Sequence, residues 1–328
     1  MYKTLYIIGN GFDKAHSMPV GYGCFRNYLE KNNGKRSECA NCIYRYNEIC
    51  STKCYLLLLL NTAVKDKDNW SDFEEALAKI DFRELNISSL SNFDNLIDNF
   101  SECLQEAFHS WIDSINIPPS ECCVFKLDTS AFFLTFNYTT VLERMYKIPP
   151  ANVYHVHSSF IEKQNLGRKY VFGHSATDTR IQAFMKSQIH EIDESLIDEW
   201  SIALGRLKKE SFSESHILVS ILQNANLGIP VIKIIGHSFG RVDHIYFAKL
   251  KELFPNAKWI YYYHSANGLC DVQNNVNLFK KEVGNIDISY EQLSTIMINN
   301  IQQTNLVCVA LIIAILSILV SIIVMFLL

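Results

Sequence analysis

The sequence predicts an α/β protein: a doubly wound, mostly parallel sheet with an inserted helical subdomain and a C-terminal transmembrane helix. Three observations carry that prediction. Short β-prone apolar runs alternate with segments of helical spacing, the pattern of helices covering a parallel sheet. Two of the runs stop at glycine and a third at a polar cluster, as strand ends do in such sheets. From Leu306 to Leu328 the chain reads LVCVALIIAILSILVSIIVMFLL, without a charged residue.

The elements follow in order. Tyr2 to Ile8 (YKTLYII) reads as a buried strand halted by Gly9-Asn10-Gly11, and a helix is expected near Tyr22 to Glu30. Residues 31–54 are polar and cysteine-rich, an insertion. Apolar residues recur at helical spacing from Trp70 to Ile80 and from Leu90 to Ile115, until Pro118-Pro119 breaks the pattern. Residues 55–120 form the expected helical subdomain. Ala131 to Phe136 is a strand candidate and Thr139 to Tyr146 looks helical. Val153 to Val156 and Tyr170 to Phe172 read as short strands, and Asp193 to Glu210 as an exposed helix. Pro230 to Ile235 is a buried strand ended by Gly236, His244 to Leu253 a helix, and Trp259 to Tyr263 the last strand.

The apolar tail, at ~1.5 Å per residue, makes a helix of about 35 Å, enough to cross a hydrocarbon core of ~30 Å. Nothing at the N-terminus resembles a signal peptide, so the anchor is expected to insert after synthesis, with the N-terminal domain cytoplasmic. A net charge of −4 and the lack of a long basic run give no reason to expect a nucleic-acid partner. Ten cysteines in a reducing compartment argue against a disulfide framework. Cys39, Cys42, Cys50 and Cys54 pair at zinc-site spacing, which suits a structural Zn²⁺. The alternative is an insertion that merely happens to be rich in cysteine.

Four clusters could carry chemistry. Gly9-Asn10-Gly11-Phe12-Asp13 follows a strand, where glycines let backbone approach a phosphate; a plain tight turn is the other reading. Thr135-Phe136-Asn137-Tyr138-Thr139 also follows a strand. Asn137 there either holds a ribose hydroxyl or a water, or caps a helix. In His155-Val156-His157, strand alternation puts both imidazoles on one face, as metal ligands or as a base with a neighbour; a general base fits better, beside the reading of a surface histidine. Gly236-His237-Ser238-Phe239-Gly240 matches the nucleophile elbow of serine hydrolases, with Asp243 and His264 as the only tidy acid and base.

Taken in order, GNGFD, TFNYT, HVH and GHSFGRVD, together with Trp70-Ser71-Asp72-Phe73-Glu74, resemble the motifs of the AbiH family of bacterial phage-defence proteins. That family is similar in turn to sirtuin-like (SIR2) NAD-binding domains. The resemblance implies a Rossmann-like nucleotide-binding domain over residues 1–300, followed by the transmembrane helix 306–328. It implies that Gly9, Asn10 and Gly11 form a diphosphate loop with Asp13 beside it. Asn137 would hold the ribose or the attacking water, and His157 would be the base. Gly236 and Ser238 would line the adenosine side, with Asp243 bonding a ribose hydroxyl or capping a helix. Two departures stand out: Thr139 where relatives often carry an acid, and Ser158 where they usually carry glycine.

The function this implies is a membrane-tethered abortive-infection protein that hydrolyses NAD⁺. The alternatives are a catalytically silent nucleotide sensor acting at the membrane, and a serine hydrolase using Ser238. Expected partners are the bilayer, a small nucleotide and a second copy of the chain.

Overall fold

The computed structural model describes residues 2–32, 73–74, 77–79, 93–174, 176, 181–183, 186, 194–209, 211–225 and 227–298. Strand β1 (Tyr2–Ile8) leads into helices α1 (Asn10–Ala15) and α2 (Tyr22–Asn32). Helix α3 (Phe93–Asp113) precedes β2 (Phe132–Thr135), and the short α4 (Val141–Arg144) precedes β3 (Val153–His155). Three helices follow: α5 (Phe160–Leu166), α6 (Glu194–Gly205) and α7 (Ser211–Asn224). The chain then runs through β4 (Leu227–Ile235), α8 (His244–Leu253), β5 (Lys258–Tyr263), α9 (Ala266–Val283) and β6 (Ile288–Gln292).

All six strands are parallel, in the order β3-β2-β1-β4-β5-β6. Along β1 the buried side chains alternate between two cores. Tyr6 and Ile8 join one, with Phe12, Phe25, Phe108 and Trp111; Leu5 and Ile7 join the other, with Leu218, Phe247, Leu250 and Phe279. The period of two therefore supplies both faces from one strand. It also explains the near-continuous apolar runs of β1, β2 and β4. Leu104, Phe108 and Trp111 of α3 share their core with Phe133 of the sheet.

Three expectations are corrected. Tyr170 to Phe172 is not a strand. Its backbone is satisfied elsewhere: Tyr170 N–H donates to Gln105 Oε1, the Gln105 amide donates back to Tyr170 O, and Val171 N–H donates to His157 O. Trp259 to Tyr263 is not the last strand, because β6 pairs beyond it as an edge. The sequence ISYEQ is only half apolar, and just one of its faces reaches a core. The strand expected from Pro230 starts instead at Leu227. Its pairing with β1 shifts register between Tyr2 and Thr4, and that irregularity accommodates a proline in a central strand.

Among the described residues no helix is long and apolar enough to cross a membrane. The span expected at 306–328 lies outside them, as do Cys39, Cys42, Cys50 and Cys54.

Candidate functional site

Neighbouring strands β1 and β4 send their chains to opposite faces: α1 and α2 pack on one core, α8 on the other. Such a switch point opens a crevice at the carboxyl ends of the strands. Here it is a cavity of ≈ 820 Å³. Its walls include Gly9, Asn10, Gly11 and Asp13 after β1, Asn137 after β2 and His157 after β3. Gly236, Ser238 and Asp243, which follow β4, line it too. All nine residues singled out on the nucleotide side thus share one cavity.

The glycines at its floor answer to backbone crossing. A Cβ on Gly9 would meet His237 Cα at 2.5 Å, and one on Gly236, whose φ is +70°, would meet Phe12 N at 2.2 Å. Gly9 N–H donates to Ile235 O (3.0 Å) and Gly11 N–H to Gly236 O (2.8 Å). These two amides clamp β1 to the β4 turn and are not free to donate to a ligand.

Asp13, Asn137 and Thr139 form the first polar group. Asn137 Nδ2 donates to Gly9 O (3.1 Å) and to Asp13 Oδ1 (2.9 Å), while the Thr139 hydroxyl donates to Asp13 Oδ2 (2.5 Å). Both partners of Nδ2 are acceptors, which fixes the orientation of the amide. Its Oδ1 is left buried without a partner among the described residues. Asn137 does not cap α4, whose N-cap is Thr140. Burial raises the Asp13 carboxyl to about 6, against hydrogen bonds from Thr139 and Asn137 that pull it down. An acid at position 139 would set a second carboxyl against Asp13, so threonine suits this arrangement.

The two histidines of HVH diverge. His155 ends β3; its Nε2 bonds Glu143 Oε1 (2.9 Å), its Nδ1 bonds Asn137 O (3.0 Å), and it does not line the cavity. The strand stops there, so alternation no longer governs His157, which sits in the following turn. His157 meets Asp243 instead, with Nε2 3.4 Å from Oδ1 and outside hydrogen-bond geometry. His237 faces the other oxygen of the same carboxylate, Nε2 to Oδ2 at 3.4 Å. Lys209 Nζ lies 2.8 Å from Asp243 Oδ1 and 3.0 Å from Glu74 Oε1, its side chain fully buried.

This second group is electrostatically coupled. Burial pushes the Asp243 carboxyl up, but the Lys209 ammonium and the facing histidines outweigh it and hold it well below the usual range. Burial lowers Lys209, and the two carboxylates more than restore it. Glu74 is raised by burial to about 7 despite Lys209. Burial and the nearby ammonium lower His157 to about 4, so its imidazole is neutral at physiological pH.

Ser238 does not assemble a triad. The Asp243 carboxylate is turned to Lys209, His157 and His237, and His264 is exposed. The left-handed residues of this turn are Gly236 and Phe239, not Ser238. Asp243 occupies the N-cap of α8 without making a capping bond. Among the described residues no group of three or more His, Cys, Asp or Glu is arranged to hold a metal ion. In the acid pair Asp243–Glu74 the Lys209 ammonium takes the place a cation would occupy.

Lys209 and His237 had not been assigned a role from the sequence, and Glu74 appeared only within WSDFE. A usable signal was the tripeptide Gly-His-Ser, found at 173–175 and again at 236–238. In both copies the glycine has positive φ, and the histidine Nδ1 accepts the N–H two residues on, at 3.2 Å for His174 and 3.0 Å for His237.

The family profile described as Bacteriophage abortive infection AbiH matches residues 5–263. No curated protein and no solved structure matches the chain. The matched span runs from within β1 to the last residue of β5, and so includes the ends of β1, β2, β3 and β4 that carry those nine residues. With most of its length inside that match, the chain belongs to the AbiH family of bacteriophage abortive infection proteins.

Proposed function

We propose that this AbiH protein hydrolyses NAD⁺ in the crevice between β1 and β4, and that residues 306–328 tether it to a bilayer. The observation that carries the reading is the buried, unpartnered Oδ1 of Asn137 on the same cavity as a neutral, poorly satisfied His157. Both N–H groups of the Asn137 amide are engaged, so it offers the ligand only an acceptor, suited to a sugar hydroxyl or a water. An imidazole that is neutral throughout the physiological range is in the form a general base requires.

The reaction balances with these groups. Water forms a bond from oxygen to the ribose anomeric carbon and loses a proton to His157. The carbon–nitrogen bond breaks, and its electron pair leaves with neutral nicotinamide. Positive charge develops on the ribose meanwhile, and the buried Asp13 and Asp243 carboxylates on the cavity wall favour it. The likeness of the motifs to sirtuin-like domains points the same way. The uncharged tail supports the tether.

The test is nicotinamide release from NAD⁺ by the purified full chain with any activator. Asn137→Ala and His157→Ala are each expected to lower turnover about 10²–10⁴-fold, the range for a lost positioning or proton-transfer group. Undiminished release in both variants overturns the assignment.

A silent nucleotide sensor acting at the bilayer is the second reading, favoured by Ser158. This serine stands beside the base in a left-handed conformation (φ 68°), which glycine adopts without strain and which the resemblance to sirtuin-like domains leads one to expect of glycine. It predicts toxicity that survives His157→Ala and vanishes on deletion of 306–328.

A further inference from the structure

The main chain around Lys209 is fastened at several points. Lys209 N–H donates to His174 O (3.0 Å), and His174 N–H donates to Leu207 O (3.2 Å). Gly173 packs so closely that a Cβ there would meet Leu207 O at 2.4 Å and Lys209 N at 2.8 Å. The ammonium is then pinned between Glu74 and Asp243. Asp243 in consequence presents one oxygen to His157 and the other to His237.

The hydrogen-bonding chemistry of those contacts sets the tautomers. His237 Nδ1 accepts the Phe239 N–H, so its proton is on Nε2, the nitrogen facing Asp243. An ionised carboxylate only accepts, and a neutral His157 accordingly turns a protonated Nε2 toward it. Nδ1 of His157 is then the atom with the free lone pair.

We propose that Lys209 is the positioning residue of this site: by clamping Asp243 it selects the Nε2–H tautomer of His157 and leaves its Nδ1 to take the proton. The inference deepens the NAD⁺ reading and rests on it for the identity of the ligand alone. Among the described residues, besides Asp243, Lys209 and His237, the titratable groups around His157 are Tyr138 and Tyr246, each with its ring 5.9 Å away, and Glu74 beyond the lysine.

Long-range ¹H–¹⁵N correlation spectra of the full chain with ¹⁵N-labelled histidine test it directly. In the wild-type protein His157 and His237 are expected in the Nε2–H form; an Nδ1–H His157 overturns the proposal without any variant. In Lys209→Met, His157 is expected to lose its single tautomer and to titrate at least about one pH unit higher, because the ammonium no longer opposes its protonation. A folded Lys209→Met with His157 unchanged also overturns it, and if that variant does not fold the wild-type spectrum still decides. The expected tautomers in a protein that releases no nicotinamide would sink the NAD⁺ reading and leave the clamp standing.

Discussion

Asp13 and Asp243 are buried against the same cavity, yet their carboxyls move in opposite directions. Asp13 is 1% exposed and held by two neutral donors, and its proton leaves only near pH 6. Asp243 is 7% exposed and held by an ammonium, and it stays ionised far below that. Burial penalises both charges, and hydrogen bonds from Asn137 and Thr139 recover only part of the penalty. A cation in contact reverses it. One crevice thereby has one aspartate, Asp13, whose charge responds to mild acid and another, Asp243, whose charge does not.

The sharpest way to break that contrast is to remove the cation. Lys209→Met leaves Asp243 and Glu74 buried without a counter-charge, and breaking a buried pair in this way costs about 3–5 kcal/mol. Urea denaturation at pH 7 should show a loss of that order. A loss below about 1 kcal/mol would mean that solvent reaches the pair and that the two aspartates differ less than their partners indicate.

How much of this could be read from the chain depends on how local each feature is. The limits Tyr2–Ile8 and His244–Leu253 follow from a continuous apolar run and from helical spacing. The crevice was legible because parallel strands put all their carboxyl ends on one side, so clusters just after strands had to converge. Tyr170 to Phe172 misled because three apolar-rich residues look like a strand whether or not a neighbouring strand is there to pair. Lys209 was invisible: Lys208 beside it is exposed, and only the packing of residues 173–174 against 207–209 buries the second of two adjacent lysines. His155 and His157 were read by a strand period that ends one residue too early.

A smaller effect, of opposite sign with pH, is expected at Asp13. The folded value of about 6 lies above the ordinary 3.8, so between them the folded state binds more protons than the unfolded one. Wild-type stability therefore falls through this group as pH rises from about 4 to 6, and nothing more is lost above that. Asp13→Asn has no such dependence. Its oxygen still accepts from Asn137, and its amide donates to the Thr139 hydroxyl, which turns to accept. Relative to wild type the variant should gain about 2–3 kcal/mol between pH 4 and pH 7, measured as the difference of two urea curves so that shared groups cancel. Asp243→Asn should show no such gain through its own carboxyl, which is ionised in the folded state across the whole range and in most unfolded chains at pH 4. Parallel behaviour of the two variants would erase the contrast.

The smallest effect concerns the backbone between the two groups. Ser158 is fully buried with φ 68°, one residue beyond His157, and its hydroxyl reaches Arg168 O only at 3.4 Å. A left-handed residue other than glycine costs roughly 1–2 kcal/mol, and glycine gives back about 0.5–1 kcal/mol in chain entropy. Ser158→Gly should therefore stabilise the fold by no more than about 1 kcal/mol, and it removes no charged group from either side of the cavity. The pH dependence of both aspartates should survive the substitution unchanged. A loss of stability instead would show that the long serine contact anchors Arg168, whose guanidinium joins His155 O, Glu162 and Glu214, and that the turn holding His157 draws its order from that cluster and not from the Asp243 side.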